Sequence, residues 1–232
     1  MRRALGVLVA ALTLSACGGG GGPEPKAVDP AQALRDGAAA MAKLNTVTAT
    51  LKFTKGAVTF QGFTLAGAKT SVRLPGESDT TYTVKQQDLS LSIEVVITGG
   101  HVFVHVPFST FQEVTGPDAA AIPDLAKLFD PSTGLPAVIP AGQTPRYLGL
   151  DQAGGVSSYR VSATYTADQV HVMLPQLSST GAVQAVIWVG ATDHLIRKAT
   201  LDGAFGDGGK ESSVEVDIAG FNSAVSITSP SP

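Results

Sequence analysis

Between Leu89 and Val106 the chain alternates apolar and polar residues about a glycine pair, and this pattern leaves few folds open. Leu89, Leu91, Ile93, Val95 and Ile97 are separated by Ser90, Ser92, Glu94 and Val96; Gly99-Gly100 follows, then Val102, Val104 and Val106. Alternate residues of a strand point to opposite faces, and a Gly-Gly pair suits the two-residue turn of a hairpin. Pairing Thr98 with His101 sets Ile97 across from Val102, Val95 from Val104 and Ile93 from Val106. All six then share one face, as a fixed register demands. The other face carries Glu94 opposite His105, Ser92 opposite Pro107 and Val96 opposite Phe103. One dry face and one mostly polar face describe an antiparallel sheet covered on one side.

The flanking segments extend this picture. Asp29-Pro30 fits an N-cap followed by a first helical residue, and Leu34, Ala38, Met41 and Leu44 continue at helical spacing, so a helix is predicted over about 30–45. From Val47 the period changes to two, with Val47, Ala49, Leu51 and Phe53 alternating against polar residues. Residues 111–142 break the strand pattern. There, Gly116-Pro117-Asp118 leads into a helical stretch with Ile122, Leu125, Leu128 and Phe129, Asp130 to Gly134 form a turn cluster, and Leu135 to Ile139 are apolar. Strands resume at about 145–150 and 156–164. Thr166 and Gln169 match a capping box ahead of Val170, Met173 and Leu174, with Pro175 ending the helix. Three more strands are predicted at Val183–Val189, Leu195–Leu201 and Ser212–Phe221, joined at Asp193-His194 and Gly206 to Gly209. Roughly nine strands with few, short helices and no βαβ alternation indicate an α+β fold built on an antiparallel sheet.

The N-terminus carries a separate message. Arg2 and Arg3 precede an apolar stretch, Ala4 to Ala16, too short to span a bilayer and suited to a signal peptide. It closes on Leu14-Ser15-Ala16-Cys17, which resembles a bacterial lipobox. By that resemblance residues 1–16 are a lipoprotein signal peptide, cleavage falls before Cys17, and the Cys17 thiol receives diacylglycerol. An ordinary secretory signal with a chance cysteine is the alternative. Gly18 to Gly22 and Pro23-Glu24-Pro25 make residues 17–28 read as a lipidated cysteine on a flexible tether. A single folded domain is expected over 29–227, with a disordered tail at 228–232 that ends Ser-Pro-Ser-Pro.

Composition narrows the chemistry. Sixteen Lys and Arg against nineteen Asp and Glu leave a formal net charge of −3, and loss of Arg2 and Arg3 with the signal takes it to −5. That balance does not favour nucleic acid. One cysteine permits no intrachain disulfide and no multi-thiolate metal site. No G-x-S-x-G, Walker or H-E-x-x-H motif occurs. His101 and His105 share a strand face but stand about 13 Å apart along it, too far for one ion; His105 is expected to pair with Glu94. His171 and His194 are expected to face solvent. The chain is therefore read as non-enzymatic, with no cofactor and no metal.

Several stretches resemble the actinobacterial lipoprotein family typified by LppX, LprA, LprF and LprG. They are the hairpin Ile97-Thr98-Gly99-Gly100-His101-Val102-Phe103-Val104, the segment Phe111 to Pro117, the turn Asp130-Pro131-Ser132-Thr133-Gly134-Leu135, and Val186-Ile187-Trp188-Val189 with Asp193-His194-Leu195. The likeness covers most of residues 30–225. Phe111 stands where the family has tryptophan, and Asp130 and Ser132 alter the central turn. More remotely the shape is similar to the LolA/LolB lipoprotein carriers.

The resemblance implies a strongly curved antiparallel half-barrel with helices on its concave face, enclosing an apolar cavity. It implies a membrane-anchored carrier of multi-acyl lipids or glycolipids, moving them from the plasma membrane toward the outer envelope. The expected partners are that lipid, the plasma membrane through Cys17, and a membrane lipid transporter; the chain is expected to be a monomer. One cavity wall would come from Leu51, Phe53, Leu89, Leu91, Ile93, Val95, Ile97, Val102, Val104 and Val106. The opposite wall would come from Leu125, Leu128, Leu135 and Ile139 of the helical insert, and Val161 and Met173 are further expected cavity residues. Only 6% of residues are aromatic, and Val, Leu and Ile dominate the strand faces, which could leave room for a ligand. The alternative is a structural or adhesive envelope lipoprotein whose core is filled.

Overall fold

The computed structural model describes residues 28–60, 62–87, 89–173 and 179–230. The signal segment, Cys17, nearly all of the tether, Leu174-Pro175 and the last two tail residues lie outside them.

The chain opens on α1 (Pro30–Met41), then runs through β1 (Thr46–Lys55), β2 (Val58–Phe60), β3 (Phe63–Arg73), β4 (Glu77–Gln86), β5 (Leu89–Thr98), β6 (His101–His105) and β7 (Gln112–Val114). The helical insert follows: α2 (Gly116–Ala121), a 3-10 segment (Leu125–Phe129), α3 (Leu135–Val138) and a second 3-10 segment (Ile139–Ala141). The chain then forms β8 (Gln143–Ala153), β9 (Val156–Tyr165), α4 (Ala167–Met173), β10 (Val183–Gly190), β11 (Ile196–Gly206) and β12 (Lys210–Ala219). All twelve strands belong to one antiparallel sheet in the order β7-β6-β5-β4-β3-β1-β12-β11-β10-β9-β8, with β2 attached to β3. The sheet is not closed, and β7 and β8 are its edges.

Local chemistry explains the elements. The Asp29 carboxylate accepts the N–H groups of Ala31 (2.9 Å) and Gln32 (3.3 Å), so α1 starts where the Asp-Pro pair indicates. Ala33, Leu34, Gly37, Ala38 and Met41 form its buried stripe. The helix stops at Met41, short of the expected 45, because the next residues turn the chain into β1. Thr166 and Gln169 make the reciprocal capping bonds, 2.8 and 3.3 Å. In the central hairpin Thr98 pairs with His101, Ile97 with Val102, Val95 with Val104 and Glu94 with His105, the register read from the sequence.

Twelve strands rather than nine is a correction. The additional strands fall mainly in 58–86, where Thr, Ser and Lys obscure the period of two. Thr70, Ser78 and Thr80 occupy buried positions, and Thr70 and Thr80 share a hydroxyl hydrogen bond of 2.8 Å across β3 and β4. β7 also lies inside the stretch expected to be free of strands.

Curvature has identifiable sources. Register shifts interrupt β3–β4 between Leu65 and Gly67, β1–β12 between Phe53 and Lys55, β8–β9 between Tyr147 and Gly149, and β11–β12 between Gly203 and Gly206. Such bulges bend a strand and raise its twist. The helices lie on the resulting concave face: α1 packs over β8 to β11 and against α3, and the Leu125–Phe129 segment packs over β3 and β4.

The insert is pinned by its turn. Asp130 Oδ1 accepts the backbone N–H groups of Ser132 (2.8 Å) and Thr133 (2.9 Å) and both hydroxyls. These bonds hold its carboxyl below the usual aspartate range. Gly134 then passes so close to the preceding segment that a Cβ would stand 2.5 Å from the carbonyl oxygens of Lys127 and Leu128. Gly134→Ala is expected to lower stability by about 1–3 kcal/mol, read as a lower urea midpoint; an unchanged midpoint would show that the turn yields freely.

Candidate functional site

Two apolar cavities lie on the concave face. The inner one sits beneath the helical roof. Its roof is Leu128, Leu135, Val138, Ile139, Val170 and Met173; its floor comprises Leu51 of β1, Tyr165 of β9, Ala185 and Ile187 of β10, and residues of β11 and β12 such as Ile196, Leu201, Val214 and Ile218. Its volume is about 60 Å³. The outer cavity, about 380 Å³, lies toward the β7 edge. It is bounded by Phe63 and Leu65 of β3, Tyr82 and Val84 of β4, Ile93 and Val95 of β5, and Val104 and Val106 at and just beyond the end of β6. Val114, Asp118, Ile122 and Pro123 complete it.

Two tyrosines tie the roof to the floor. Tyr165 donates its hydroxyl to the Ile139 carbonyl at 3.0 Å, and Tyr82 donates to the Pro123 carbonyl at 2.6 Å. Each bond satisfies the polar end of a large side chain whose ring stays in apolar surroundings. Burial pushes both phenols well above their ordinary range, and for Tyr82 the nearby Asp124 charge adds to the effect. Both remain protonated donors. Asp124 is itself raised by burial while its carboxylate caps Ala126 N–H at 3.0 Å.

The single cavity expected from sequence is divided. Leu51, Leu128, Leu135, Ile139 and Met173 border the inner cavity, and Ile93, Val95, Val104 and Val106 border the outer one. Phe53, Leu91, Ile97 and Val102 pack against the core without bordering either. Leu125 and Val161 are buried within the core itself, Val161 at 0% exposure, because neighbouring side chains fill the space around them. Leu89 is a correction: it is 59% exposed, since it begins β5 beyond the reach of the insert.

Sequence reasoning missed the β3–β4 contribution, Phe63, Leu65, Tyr82 and Val84. The available signal was Tyr82 alternating with Val84, diluted by the surrounding threonines and lysine. The β11–β12 floor was not assigned either, although its strands were.

His105 lies 3.6 Å from Glu94, as the hairpin register requires, and His101 Nδ1 lies 2.7 Å from Glu113. His171 is exposed, whereas His194, expected at the surface, is half-buried in the turn after β10. Among the described residues no group of three or more His, Cys, Asp or Glu is placed to hold a metal ion. Among them, too, no helix is long and apolar enough to cross a membrane.

An open, curved antiparallel sheet with an apolar interior roofed by short helices defines a cavity-bearing half-barrel. The chain belongs to the LppX_LprAFG lipoprotein family, whose profile matches residues 29–227. Solved structures share the fold. LprF of Mycobacterium bovis superposes with a TM-score of 0.70 at 19% identity, covering 88% of this chain and 97% of that one. LppX of Mycobacterium tuberculosis gives 0.61 at 17% identity, covering 87% and 100%. In sequence, the lipoarabinomannan carrier protein LprG of M. tuberculosis is 30% identical over 113 residues, 48% of this chain and 46% of its own. The LprG of M. leprae is 24% identical over 149 residues, 64% and 60%. The chain thus spans about half to three-fifths of the length of these curated relatives.

The tyrosine ties can be tested separately from any ligand. Tyr165→Phe should cost about 0.5–1.5 kcal/mol, the net worth of one hydrogen bond, because the ring stays in place. Equilibrium unfolding of variant and wild type reads the difference; equal stability would show that the tie carries no load.

Proposed function

We propose that this chain is a membrane-anchored lipoprotein that binds lipids or glycolipids with several acyl chains and carries them from the plasma membrane toward the outer envelope. The outer cavity is the observation that carries the reading. Its volume of about 380 Å³ falls within the roughly 300–1,000 Å³ of pockets that hold small molecules. Its walls are almost wholly hydrocarbon and ring, with Asp118 the one charged residue on its border. Membership of a family whose relatives include proteins named lipoarabinomannan carriers supports a glycolipid cargo.

The energetics suit a carrier. Burying an acyl chain of about 16 carbons contributes about 13 kcal/mol gross at ~0.8 kcal/mol per CH₂. The same chain is equally comfortable in a bilayer, so net transfer is close to neutral and the cargo can be loaded and released. Cys17 would supply the anchor, since two or more acyl chains hold a protein stably at a membrane. Residues 17–28 would be the tether. The role is non-catalytic, needs no cofactor or metal, and suits a monomer that meets a membrane lipid transporter.

The filled-core reading, a structural or adhesive envelope lipoprotein, draws support from the inner cavity, whose volume is only about 60 Å³. Mass spectrometry of lipid extracted from purified residues 28–230 separates the two. The carrier reading expects bound acyl lipid in the wild type. It also expects a folded Val95→Trp variant with less of it, because Val95 is buried at the border of the outer cavity. A lipid-free wild type, together with a Val95→Trp variant destabilised by the ~1–3 kcal/mol of an overpacked core, would establish the filled core instead.

The anchor has its own test. Cys17→Ala should leave the full chain unprocessed or release it from the membrane fraction. A cleaved variant that still needs detergent for extraction would refute the lipidation of Cys17.

A further inference from the structure

We propose that Phe108, with Leu89 and Val106, forms a rigid apolar lip that inserts into the bilayer surface at the mouth of the outer cavity. The proposal rests on the carrier reading and adds where the protein meets the membrane. After β6 the chain makes a tight turn, closed by the Ser109 N–H donating to the Val106 carbonyl at 3.2 Å. Pro107 and Phe108 hold its two central positions. Phe108 has φ +67°, the left-handed conformation that glycine or asparagine ordinarily supplies at the third position of such a turn. A bulky residue there is an outlier.

Phe108 is also fully solvent-exposed, at 107% of its reference area. Two costs thus fall on one residue: a strained backbone, and an aromatic ring in water that packs against nothing. Neither serves the fold, since glycine would remove both. Persistent strain of this kind points to a use outside the folded chain.

The turn is held firmly. Val106 N–H donates to Ser109 Oγ at 3.3 Å, and that hydroxyl lies 2.8 Å from the Val106 carbonyl. Phe108 is therefore presented on a braced loop.

The position identifies the occupant. Val106 borders the outer cavity and is 42% exposed, so the apolar lining runs without a break from the interior to the surface. Glu94 pairs with His105, which places Val106 beside Ile93; Leu89 lies four residues farther toward the same end of the sheet. Exposed charges at this end of the sheet nearly balance, Lys55, Lys85 and Lys210 against Asp207 and Glu211, so apolar insertion rather than charge would hold it to a bilayer. A bilayer accepts an inserted ring and opens directly onto the cavity. Extended at about 3.3–3.6 Å per residue, the tether spans roughly 40 Å, comparable to the length of the longest strands, so the anchor does not prevent this end from reaching the membrane.

The test uses the full acylated chain reconstituted in phosphatidylcholine–phosphatidylglycerol vesicles. Its single tryptophan, Trp188, is nearly buried and provides the background signal. F108W should add blue-shifted emission that lipids brominated in mid-chain quench; emission typical of water, without quenching, would overturn the proposal. Phe108→Gly should raise the melting temperature by relieving strain. It should also slow lipid uptake from donor vesicles about tenfold, the factor corresponding to loss of one buried Phe side chain, while lipid already bound stays in place. Uptake at the wild-type rate would overturn the lip. Leu150→Asp, an exposed apolar residue on edge strand β8, should leave uptake unchanged; an equal loss would show that the effect is not specific to the lip. Absence of lipid from the wild-type protein would defeat the carrier reading instead, and the quenching of F108W is read independently of it.

Discussion

A single sheet with one apolar face has to be covered, and everything else in this molecule follows from how incompletely that is done. Eleven strands in sequence, about 4.8 Å apart, make a surface roughly 50 Å wide. The longest helix among the described residues has 12 residues, about 18 Å at 1.5 Å per residue. Bending the sheet at its bulges brings its two halves toward each other and reduces the area to be covered, but not to zero. The longest helix lies over β8 to β11, and the β3-to-β7 side has only the short Leu125–Phe129 segment over β3 and β4, with α2 and the Ile122-Pro123 segment beside them. The larger cavity lies on that thinly covered side.

The roof is tied to the sheet by neutral hydrogen bonds. Tyr82 and Tyr165 each send one hydroxyl to a backbone carbonyl of the insert, so the polar ends of the two large rings are satisfied by neutral bonds. Asp130 performs the corresponding task at the insert's outer turn, where water reaches it. This division leaves the cavity walls chiefly apolar, since an unpaired polar group in either wall would cost about as much as several methylenes contribute.

The exposed end of the sheet follows another rule. At the top of the β5–β6 hairpin, glycines occupy the left-handed positions and the turn is unstrained. At the opposite end, phenylalanine occupies one, beside the cavity mouth. The same fold thus ends in a conventional turn on one side and in a strained apolar projection on the other.

The central hairpin was legible from sequence because its register could be checked within itself: the two-residue Gly-Gly turn sets Thr98 against His101, and six apolar residues then fall on one face. Asp29-Pro30 and the Thr166–Gln169 pair were legible because capping is decided within a few residues. β3 and β4 were not, because Thr70, Ser78 and Thr80 sit in buried positions where pattern reading expects hydrocarbon, and the Thr70 and Thr80 hydroxyls are satisfied only by each other, across the two strands. The apolar residues of β5 and β6 were recognisable as a covered face, yet which of them border empty space depends on where the insert stops. Leu125 and Val161 came to lie in filled core and Leu89 in solvent. Periodicity fixes the direction of a side chain; the distance between two surfaces built from remote segments fixes whether anything fills the space in front of it, and that is decided only when the chain is folded.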